Sequence, residues 1–359
     1  MIAASPKESV ATQSIAAQGN APAETTDPKP AIKVKGLAYV RVCAPDLVKA
    51  EAFLTEFGLQ VAHRTDDSLF FRGTDPEPPC YILTRGRGGV TALGFSTDNA
   101  ADLQTLARAP GASAVTTLDE PNGGEMVRLT DPQGMTIEVV HGRTAAAALE
   151  PAPIQPFNMN NQYHRQGQLP GVRRGPSHVK RIGHLVLESA DPGAVYDWYH
   201  QHLGLRTSDA VRLPDGSPQM IFSRLDRGQE YVDHHVVGFQ FAMDEGARVQ
   251  HIAFEVSNLD DLMAGHEHLK KHRRKHIWGI GRHLLGGQIF DYWKSPWGVI
   301  HEHWTDTDLL NQDHQPQDCG VGDVNDYWGP NPTPAFIISR WNWKALRNVA
   351  RLLRLRLSA

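Results

Sequence analysis

Short apolar segments alternate with amphipathic segments of helical period along most of this chain. The segment GLAYVRV (36–42) has the alternation of a strand, and DLVKAEAFLTEFG (46–58) has the period of a helix that ends at a glycine. Further elements are predicted as strands near 69–72, 80–83 and 92–96, a helix at 100–108, and a hairpin at 126–142. Together these segments predict one unit that contains both sheet and helix.

The same order of elements returns in the second half of the chain. The repeated segments are 180–189 for the first strand, 192–204 for the first helix, 251–262 for a later strand and helix, and IFDYWKSPWGVIHEHW (289–304) for the hairpin. An internal repeat of this length indicates two similar units in tandem. We therefore compare the two units position by position.

The comparison reveals an asymmetry in residues that carry chemistry. Three pairs of positions align: Tyr39 with His184, Ala92 with His251, and Glu138 with Glu302. The first unit therefore keeps the glutamate and lacks both histidines. A histidine that only supported the fold would be expected in both copies, so the asymmetry indicates a function specific to the second copy.

His184, His251 and Glu302 are predicted to lie on three separate strands of the second unit. Two imidazoles and one carboxylate on one face of a metal leave the opposite face open, as in non-heme Fe(II) centres that bind substrate and O2 side by side. A buried histidine with a structural role is the competing interpretation for each residue taken singly. Since the pair is repeat-asymmetric and accompanies Glu302, we favour the metal site.

Three further side chains are candidates for the same site. His235 precedes His251 by sixteen residues, on the preceding strand, and His283 lies at the mouth of the final hairpin. Pro296 and Gly298 predict a turn that places Tyr292 beside Glu302. Histidine can accept or donate a proton near neutral pH, and a tyrosine can hydrogen-bond a substrate oxygen. Surface or core packing is the alternative for each of them.

Other histidines are predicted to be incidental. The chain has 18 histidines, so several must have no part in the site. His301 and His303 flank Glu302 and are expected to point to the opposite face of the strand. His266, His268 and His272 fall on a helix rich in lysine and arginine, which we interpret as a solvated face.

The composition excludes several classes of protein. The chain has 359 residues and a formal net charge of -4, so no broad basic field favours nucleic acid. Three scattered cysteines are too few for a disulfide framework or a cysteine zinc site, which suggests a reducing cytoplasm. No apolar run is long enough to span a membrane, and the first residues lack the apolar core of a secretory signal.

Three segments of the second unit resemble a known family. They are HLVL from His184, HIAFEV from His251, and the pattern G-R-H…Y-x-x-S-P-x-G-x-x-x-E that ends at Glu302. These segments are similar to those of type I extradiol ring-cleaving dioxygenases of the vicinal oxygen chelate superfamily, close to catechol 2,3-dioxygenases and dihydroxybiphenyl dioxygenases. The resemblance covers about residues 34–310. It implies an α+β fold of two tandem vicinal-oxygen-chelate domains, each with paired βαβββ repeats in an eight-stranded bowl-shaped sheet.

The resemblance also implies an activity. A catechol would be cleaved next to its diol by O2 at Fe(II), or at Mn(II) as the alternative metal, to a hydroxymuconic semialdehyde type product in the degradation of aromatic compounds. The residues that match the family's metal ligands are His184, His251 and Glu302. Those that match its acid/base histidine and its pair of substrate-holding groups are His235, His283 and Tyr292. The partners implied are the small-molecule catechol and O2, in a homo-oligomer.

The sequence departs from the family pattern in a few places. Asp291 replaces an apolar or aromatic residue before Tyr292, and Leu284 and Leu285 replace small polar residues after the G-R-H. The segment before His251 is one residue longer, which leaves His234 as a rival to His235. A glyoxalase or epimerase of the same scaffold, or a metal-free small-molecule binding protein, is the alternative function.

The predicted organisation has five parts. They are an N-terminal disordered extension (1–33), a metal-free domain (34–143), a linker (144–177), a catalytic domain (178–310) and a C-terminal extension (311–359). The chain is irregular after about residue 308, and 340–359 is predicted as a basic amphipathic helix. We favour packing of this helix on another subunit or on the first domain over attachment to a membrane surface.

Overall fold

Two large mixed sheets with few helices make up the fold. The computed structural model describes residues 29–150, 156–167, 174–243, 248–321, 326–338, 343, 345–348 and 350. The α+β architecture predicted from the sequence is confirmed, with one sheet formed by each half of the chain. The domain boundaries themselves stay a prediction.

The first sheet has eight strands in the order β2-β3-β4-β1-β5-β8-β7-β6. Its strands are β1 (Gly36–Ala44), β2 (Gln60–Arg64), β3 (Ser68–Arg72), β4 (Tyr81–Arg85), β5 (Gly89–Ser96), β6 (Thr116–Thr117), β7 (Glu125–Thr130) and β8 (Thr136–His141). Its helices are α1 (Leu47–Phe57) and α2 (Ala100–Leu106). The strands and helices predicted for the first unit are all present, and β2 and β6 are additional.

The second sheet has nine strands in the order β15-β16-β17-β14-β9-β13-β11-β10-β19, and β12 and β18 form a separate pair. The strands are β9 (Val179–Ser189), β10 (Arg206–Arg212), β11 (Pro218–Arg224), β12 (Val232–Asp233), β13 (Val237–Phe241), β14 (Arg248–Val256), β15 (Lys275–Arg282), β16 (Ile289–Lys294), β17 (Ile300–Thr305), β18 (Leu309–Leu310) and β19 (Gln317–Gly320). The helices are α3 (Pro192–Leu203), α4 (Leu259–Lys271) and α5 (Pro334–Ile337).

The prediction of eight strands in the second sheet is therefore wrong by one. Strand β19 pairs in parallel with β10 at the edge of the sheet. This strand comes from the segment after residue 308, which we expected to be irregular. Its backbone groups find partners at the free edge of β10, so the tail extends the sheet.

Matching local signals begin and end the first helix of each unit. Asp46 accepts a hydrogen bond from the Lys49 backbone N–H and caps α1, and Asp191 caps α3 through Ala194. Both helices end at a glycine in the left-handed conformation, with φ of 116° at Gly58 and 73° at Gly204. The periodicity and the caps therefore agree, which is why both helices were predictable.

The register of the strands reproduces the alignment of the two units. In the first sheet Tyr39 pairs with Gly94, which pairs with Glu138. In the second sheet the corresponding row is His184, Ala253 and Glu302. Residues aligned by sequence therefore occupy equivalent positions on the two sheets.

The two halves of the chain share one buried core. It includes Phe57 from α1 together with Phe254 from β14, whose rings lie 5.7 Å apart between centroids. His301 Nε2 lies 3.1 Å from the Tyr81 hydroxyl, and His303 Nε2 lies 2.7 Å from the Phe57 carbonyl oxygen. Burial lowers the pKa of His301 to about 3, so this imidazole is neutral at pH 7. Both histidines are on the face opposite to Glu302, as predicted from strand geometry.

Several predictions fall on parts of the chain outside the description. Residues 1–28 and most of 340–359 are among these, so the disordered extension and the basic helix stay predictions. The homo-oligomer also stays a prediction, because the structure describes a single chain. Of the helices that the structure describes, none has the length and apolar character to cross a membrane.

Candidate metal centre

Three buried side chains converge from neighbouring strands of the second sheet. His184 lies on β9, His251 on β14 and Glu302 on β17, and all are at most 5 % exposed. The Nε2 atoms of His184 and His251 lie 3.1 Å and 3.2 Å from the same oxygen, Glu302 Oε2. The trio predicted from the repeat therefore comes together at one point.

The donor atoms of this triad are incompletely satisfied by the protein. Glu302 Oε1 and His251 Nε2 have no hydrogen-bond partner among the described residues. Buried polar atoms without partners are costly, and in native proteins they commonly mark a bound ion or water. Donor atoms about 3 Å apart suit a divalent ion whose ligands lie at roughly 2.1 Å. The residues present therefore fit a metal held by two imidazoles and one carboxylate.

A neighbouring amide orients one of the imidazoles. Gln250 Oε1 is hydrogen-bonded to His251 Nδ1. That bond places the proton of a neutral imidazole on Nδ1 and leaves Nε2 as the lone-pair nitrogen. Nε2 is the nitrogen that points at Glu302, so His251 presents the tautomer that a metal requires.

Burial and mutual contacts set the protonation of the triad. Burial alone would raise the pKa of Glu302, but the imidazoles of His184 and His251 outweigh it and hold the pKa below its usual range. Burial lowers the pKa of His251, against the opposing effect of Glu302. A charged carboxylate beside neutral imidazole is the ligand state that binds a cation.

The hairpin turn places Tyr292 directly opposite Glu302. Ser295 and Val299 close the turn through backbone and hydroxyl hydrogen bonds, and Gly298 adopts a φ of 93° that favours glycine. The resulting register pairs Tyr292 on β16 with Glu302 on β17. Burial, followed by the Glu302 charge, raises the pKa of Tyr292 well above its usual range, so the phenol keeps its proton.

The other two predicted residues lie beside the triad. The ring of His235 is 4.2 Å from that of His184 between centroids. His283 follows β15, and its Nε2 lies 3.1 Å from the Tyr292 hydroxyl oxygen. Burial lowers the pKa of His235 well below its usual range, and the surrounding imidazoles, with His184 the largest among them, add to the effect. All six side chains predicted for the site are thus in one region.

The two adjacent histidines before β13 have different surroundings. His234 Nε2 lies 2.8 Å from Asp209 Oδ2, and His234 Nδ1 lies 3.1 Å from His235 Nδ1. His234 is therefore engaged by Asp209 and His235, whereas the ring of His235 contacts that of His184 in the triad. The geometry favours His235 over His234 as the residue that acts at the metal centre.

A segment of the C-terminal tail forms part of the site, which the sequence did not reveal. Asp326 Oδ1 lies 2.9 Å from His283 Nδ1, and the backbone of Trp328 pairs with Arg282. Gln250, which orients His251, also donates from its amide nitrogen to the Phe336 carbonyl oxygen, at 3.2 Å. The tail therefore contacts a predicted substrate-holding group, His283, and is linked through Gln250 to a predicted ligand, His251. In the sequence, the adjacent Asp326, Tyr327 and Trp328 are the local feature that could have indicated this contact of the tail with the site.

Aromatic side chains surround Tyr292. The ring of Trp278 stacks 5.2 Å from it, and those of Phe290 and Phe336 lie at 5.4 Å and 4.8 Å. Trp293 lies on the opposite face of β16, where its indole N–H donates to Asp291 Oδ2. The wall near the site is therefore apolar and aromatic, and it is formed by Trp278, Phe290 and Phe336.

Comparison with known proteins gives the family context. Residues 181–302 match the model of the Glyoxalase/Bleomycin resistance protein/Dioxygenase superfamily. Metapyrocatechase 2 of Cupriavidus necator is 28 % identical over 322 residues, which cover 86 % of this chain and 93 % of that protein. An iron-dependent extradiol dioxygenase of Rhodococcus jostii is 26 % identical over 287 residues, or 74 % of this chain and 87 % of that protein.

Solved structures show the same fold. The homoprotocatechuate 2,3-dioxygenase of Brevibacterium fuscum superposes with a TM-score of 0.70 at 18 % sequence identity. The superposition covers 86 % of this chain and 93 % of that chain. The match spans both sheets, so the two-domain arrangement is shared along nearly the whole length.

Proposed function

We propose that this chain is an extradiol dioxygenase that cleaves a catecholic ring with O2, and the match of residues 181–302 to the Glyoxalase/Bleomycin resistance protein/Dioxygenase superfamily supports this proposal. The observation that carries this proposal is the buried triad of His184, His251 and Glu302 beside three further hydrogen-bonding side chains. The names of the two sequence relatives support the same reaction.

His184, His251 and Glu302 would hold Fe(II), and Mn(II) is the alternative because both ions accept this ligand set. When bound, the metal supplies open positions at which catechol oxygens and O2 meet and exchange electron density. The protein provides an apolar surrounding through Trp278 and Phe336, whose rings lie beside Tyr292. This wall excludes water and suits the face of an aromatic ring.

The remaining polar side chains hold substrate and move protons. His283 Nε2 and the Tyr292 hydroxyl, 3.1 Å apart, form a pair that can hydrogen-bond one catechol oxygen. His235 is neutral at pH 7 because its pKa is lowered, so it can accept the proton that a catechol loses on binding. Its Nδ1 is engaged with His234, which leaves Nε2 for the transfer. The protonated His235 can later return that proton to a developing hydroxyl of the product.

The experiment is a direct assay of ring cleavage. Protein reconstituted anaerobically with Fe(II) is mixed with 3-methylcatechol or 2,3-dihydroxybiphenyl in air, and O2 uptake is followed with the appearance of a yellow hydroxymuconic semialdehyde type product. His251→Ala is the test variant. His268→Ala is the matched control, because His268 is a half-buried histidine on α4, outside the triad.

We expect yellow product with O2 consumed, retained in His268→Ala and lost in His251→Ala. The two catechols also separate a small monocyclic pocket from one that takes a second ring. Metal bound without O2 uptake on either substrate would contradict the dioxygenase and leave the glyoxalase or epimerase reaction. Absence of bound metal would contradict the metal centre itself and favour a binding protein.

A further inference from the structure

A second group of metal-ligand side chains lies on the back of the catalytic sheet. Asp291 precedes Tyr292 on β16, so its side chain is on the face opposite to the proposed active site. His266 of α4 and His276 of β15 reach the same carboxylate. His266 Nδ1 lies 3.0 Å from Asp291 Oδ2, and His276 Nε2 lies 2.8 Å from Asp291 Oδ1. The prediction that His266 belongs to a solvated face is therefore wrong.

This group matches the catalytic triad in ligand type and spacing. Each of the three residues offers a ligand atom, and these atoms all lie within 4.8 Å of one another, as they do in the triad of His184, His251 and Glu302. The two groups differ in one respect. In the catalytic triad both imidazoles approach one carboxylate oxygen, whereas His266 and His276 each approach a different oxygen of Asp291.

The charge of Asp291 has little compensation from the protein. Its side chain is fully buried, and among the described residues no lysine or arginine forms an ion pair with it. Burial alone would raise the pKa of Asp291, yet the hydrogen bonds from His266 and His276 hold the pKa below its usual value. A buried charged carboxylate that meets only imidazoles and one indole N–H is short of positive charge.

The surroundings of Asp291 suit a bound cation. The Trp293 indole N–H donates to Asp291 Oδ2 at 2.6 Å and fixes the carboxylate, as outer hydrogen bonds do at metal sites. The side chain of His276 is 31 % exposed, so the cluster opens to solvent on that side. Solvent can therefore deliver an ion and complete its coordination with water.

We propose that His266, His276 and Asp291 form a second divalent metal site, of the borderline class that prefers imidazole and carboxylate, with Zn²⁺ as its representative. The ion would join α4 to β15 and β16. Because Asp291 is adjacent to Tyr292 in β16, an ion here would fasten the strand that carries Tyr292. Its role is structural, so this inference does not depend on the proposed reaction.

The test counts bound metal in the full chain. Metal-free protein is dialysed against Zn²⁺, and the bound equivalents are measured by elemental analysis. We expect two equivalents in the natural sequence, one in His276→Gln, one in His251→Ala, and none in the double variant. Co²⁺ serves as a second probe, since the visible absorption of the ion in His251→Ala reports the second site alone and should vanish when His276→Gln is added.

The variants are chosen so that a folding defect does not imitate the result. His276 is exposed, so His276→Gln removes a ligand with little effect on the core. Thermal unfolding of His251→Ala should shift to higher temperature with Zn²⁺, and this shift should be lost in the double variant. His268→Gln is the control for adventitious binding, because the half-buried His268 and the exposed His272 form a second histidine pair, with ring centroids 4.2 Å apart.

Two outcomes would overturn the proposal. If His276→Gln leaves the number of bound ions unchanged, the cluster is a hydrogen-bonded network without a metal. If His268→Gln instead removes the second equivalent, the ion belongs to the pair of His268 and His272 at the end of α4. Either result leaves the catalytic triad untouched, because failure there appears as loss of the equivalent that depends on His251.

Discussion

The two sheets each bury a glutamate at an equivalent position, but the two glutamates have different partners. In the first sheet Glu138 accepts from the Tyr39 hydroxyl and from Arg41 Nε at Oε2, both at 2.6 Å, and from Arg128 Nε at Oε1 at 2.9 Å. In the second sheet Glu302 meets imidazoles through Oε2, and its Oε1 has no hydrogen-bond partner among the described residues.

The difference lies in where the compensating positive charge comes from. Two guanidinium groups neutralise Glu138, and hydrogen bonds and charge from Tyr39 and the arginines hold its pKa low against the effect of burial. Glu302 has no lysine or arginine partner in the described chain. A buried carboxylate without a cation is unfavourable. The second sheet therefore leaves room for an external cation, whereas the first carries its own.

The largest effect is expected when each glutamate is replaced by glutamine. Glu302→Gln removes the charged ligand, so the equivalent of metal that depends on the triad and the ring cleavage should both be lost. Glu138→Gln should retain metal and activity and lower the free energy of unfolding by about 1–3 kcal/mol, since it weakens hydrogen bonds to charged groups. Metal content, O2 uptake and urea unfolding measure the three effects. Loss of bound metal in Glu138→Gln would contradict the division of roles.

The adjacent histidines give the next largest expected effect. His235→Gln should keep the metal and lower kcat by roughly 10²–10⁴-fold, the usual contribution of an acid/base group. His234→Gln should cost much less, because His234 is held by Asp209 and contacts the site only through His235. Single-turnover product formation at fixed metal content measures both. A larger loss in His234→Gln would reverse the assignment.

A substitution in the tail, at Asp326, is expected to lower kcat by less than the substitution of His235. Asp326→Asn keeps the size of the side chain and removes the charge that orients His283, so we expect kcat to fall by roughly tenfold, as for outer-sphere partners. Asp318→Asn is the matched control, since Asp318 is a tail carboxylate paired with Arg212 on the surface. Steady-state kinetics should show no change in that control. Equal behaviour of the two variants would contradict a positioning role for Asp326.

The repeat made the triad of candidate ligands predictable but gave no indication of the contacts that the tail makes. His184, His251 and Glu302 could be found because a second copy without both histidines exists in the same chain. Asp326 lies 43 residues from His283 and beyond the region that resembles the family. Its contact depends on how the tail crosses β15, a long-range arrangement without a periodic signal. Strand β19 was not predicted for the same reason, because its partner β10 is distant in the sequence.

The local sequence pattern also did not predict the cluster on the face of the second sheet opposite to the triad. His266 shares a charged helix with His268 and His272, and the helical pattern alone does not tell which face is covered. Asp291 was visible as a departure from the family pattern, yet its partners come from two other elements. Tertiary packing therefore decides the environment of these residues, whereas caps and strand alternation decide the elements themselves.

The smallest expected effect comes from rebuilding the ligands in the first sheet. Tyr39→His with Ala92→His recreates the residue types of the catalytic triad around Glu138, but Arg41 and Arg128 still occupy both carboxylate oxygens. We therefore expect no added metal in this double variant and a weakly bound extra ion once Arg41→Met and Arg128→Met are included. Ring cleavage by the unchanged second sheet reports that each variant folds. If the double variant binds an extra ion with both arginines in place, the missing histidines alone distinguish the first sheet from the second, and internal charge compensation is not what separates the two glutamates.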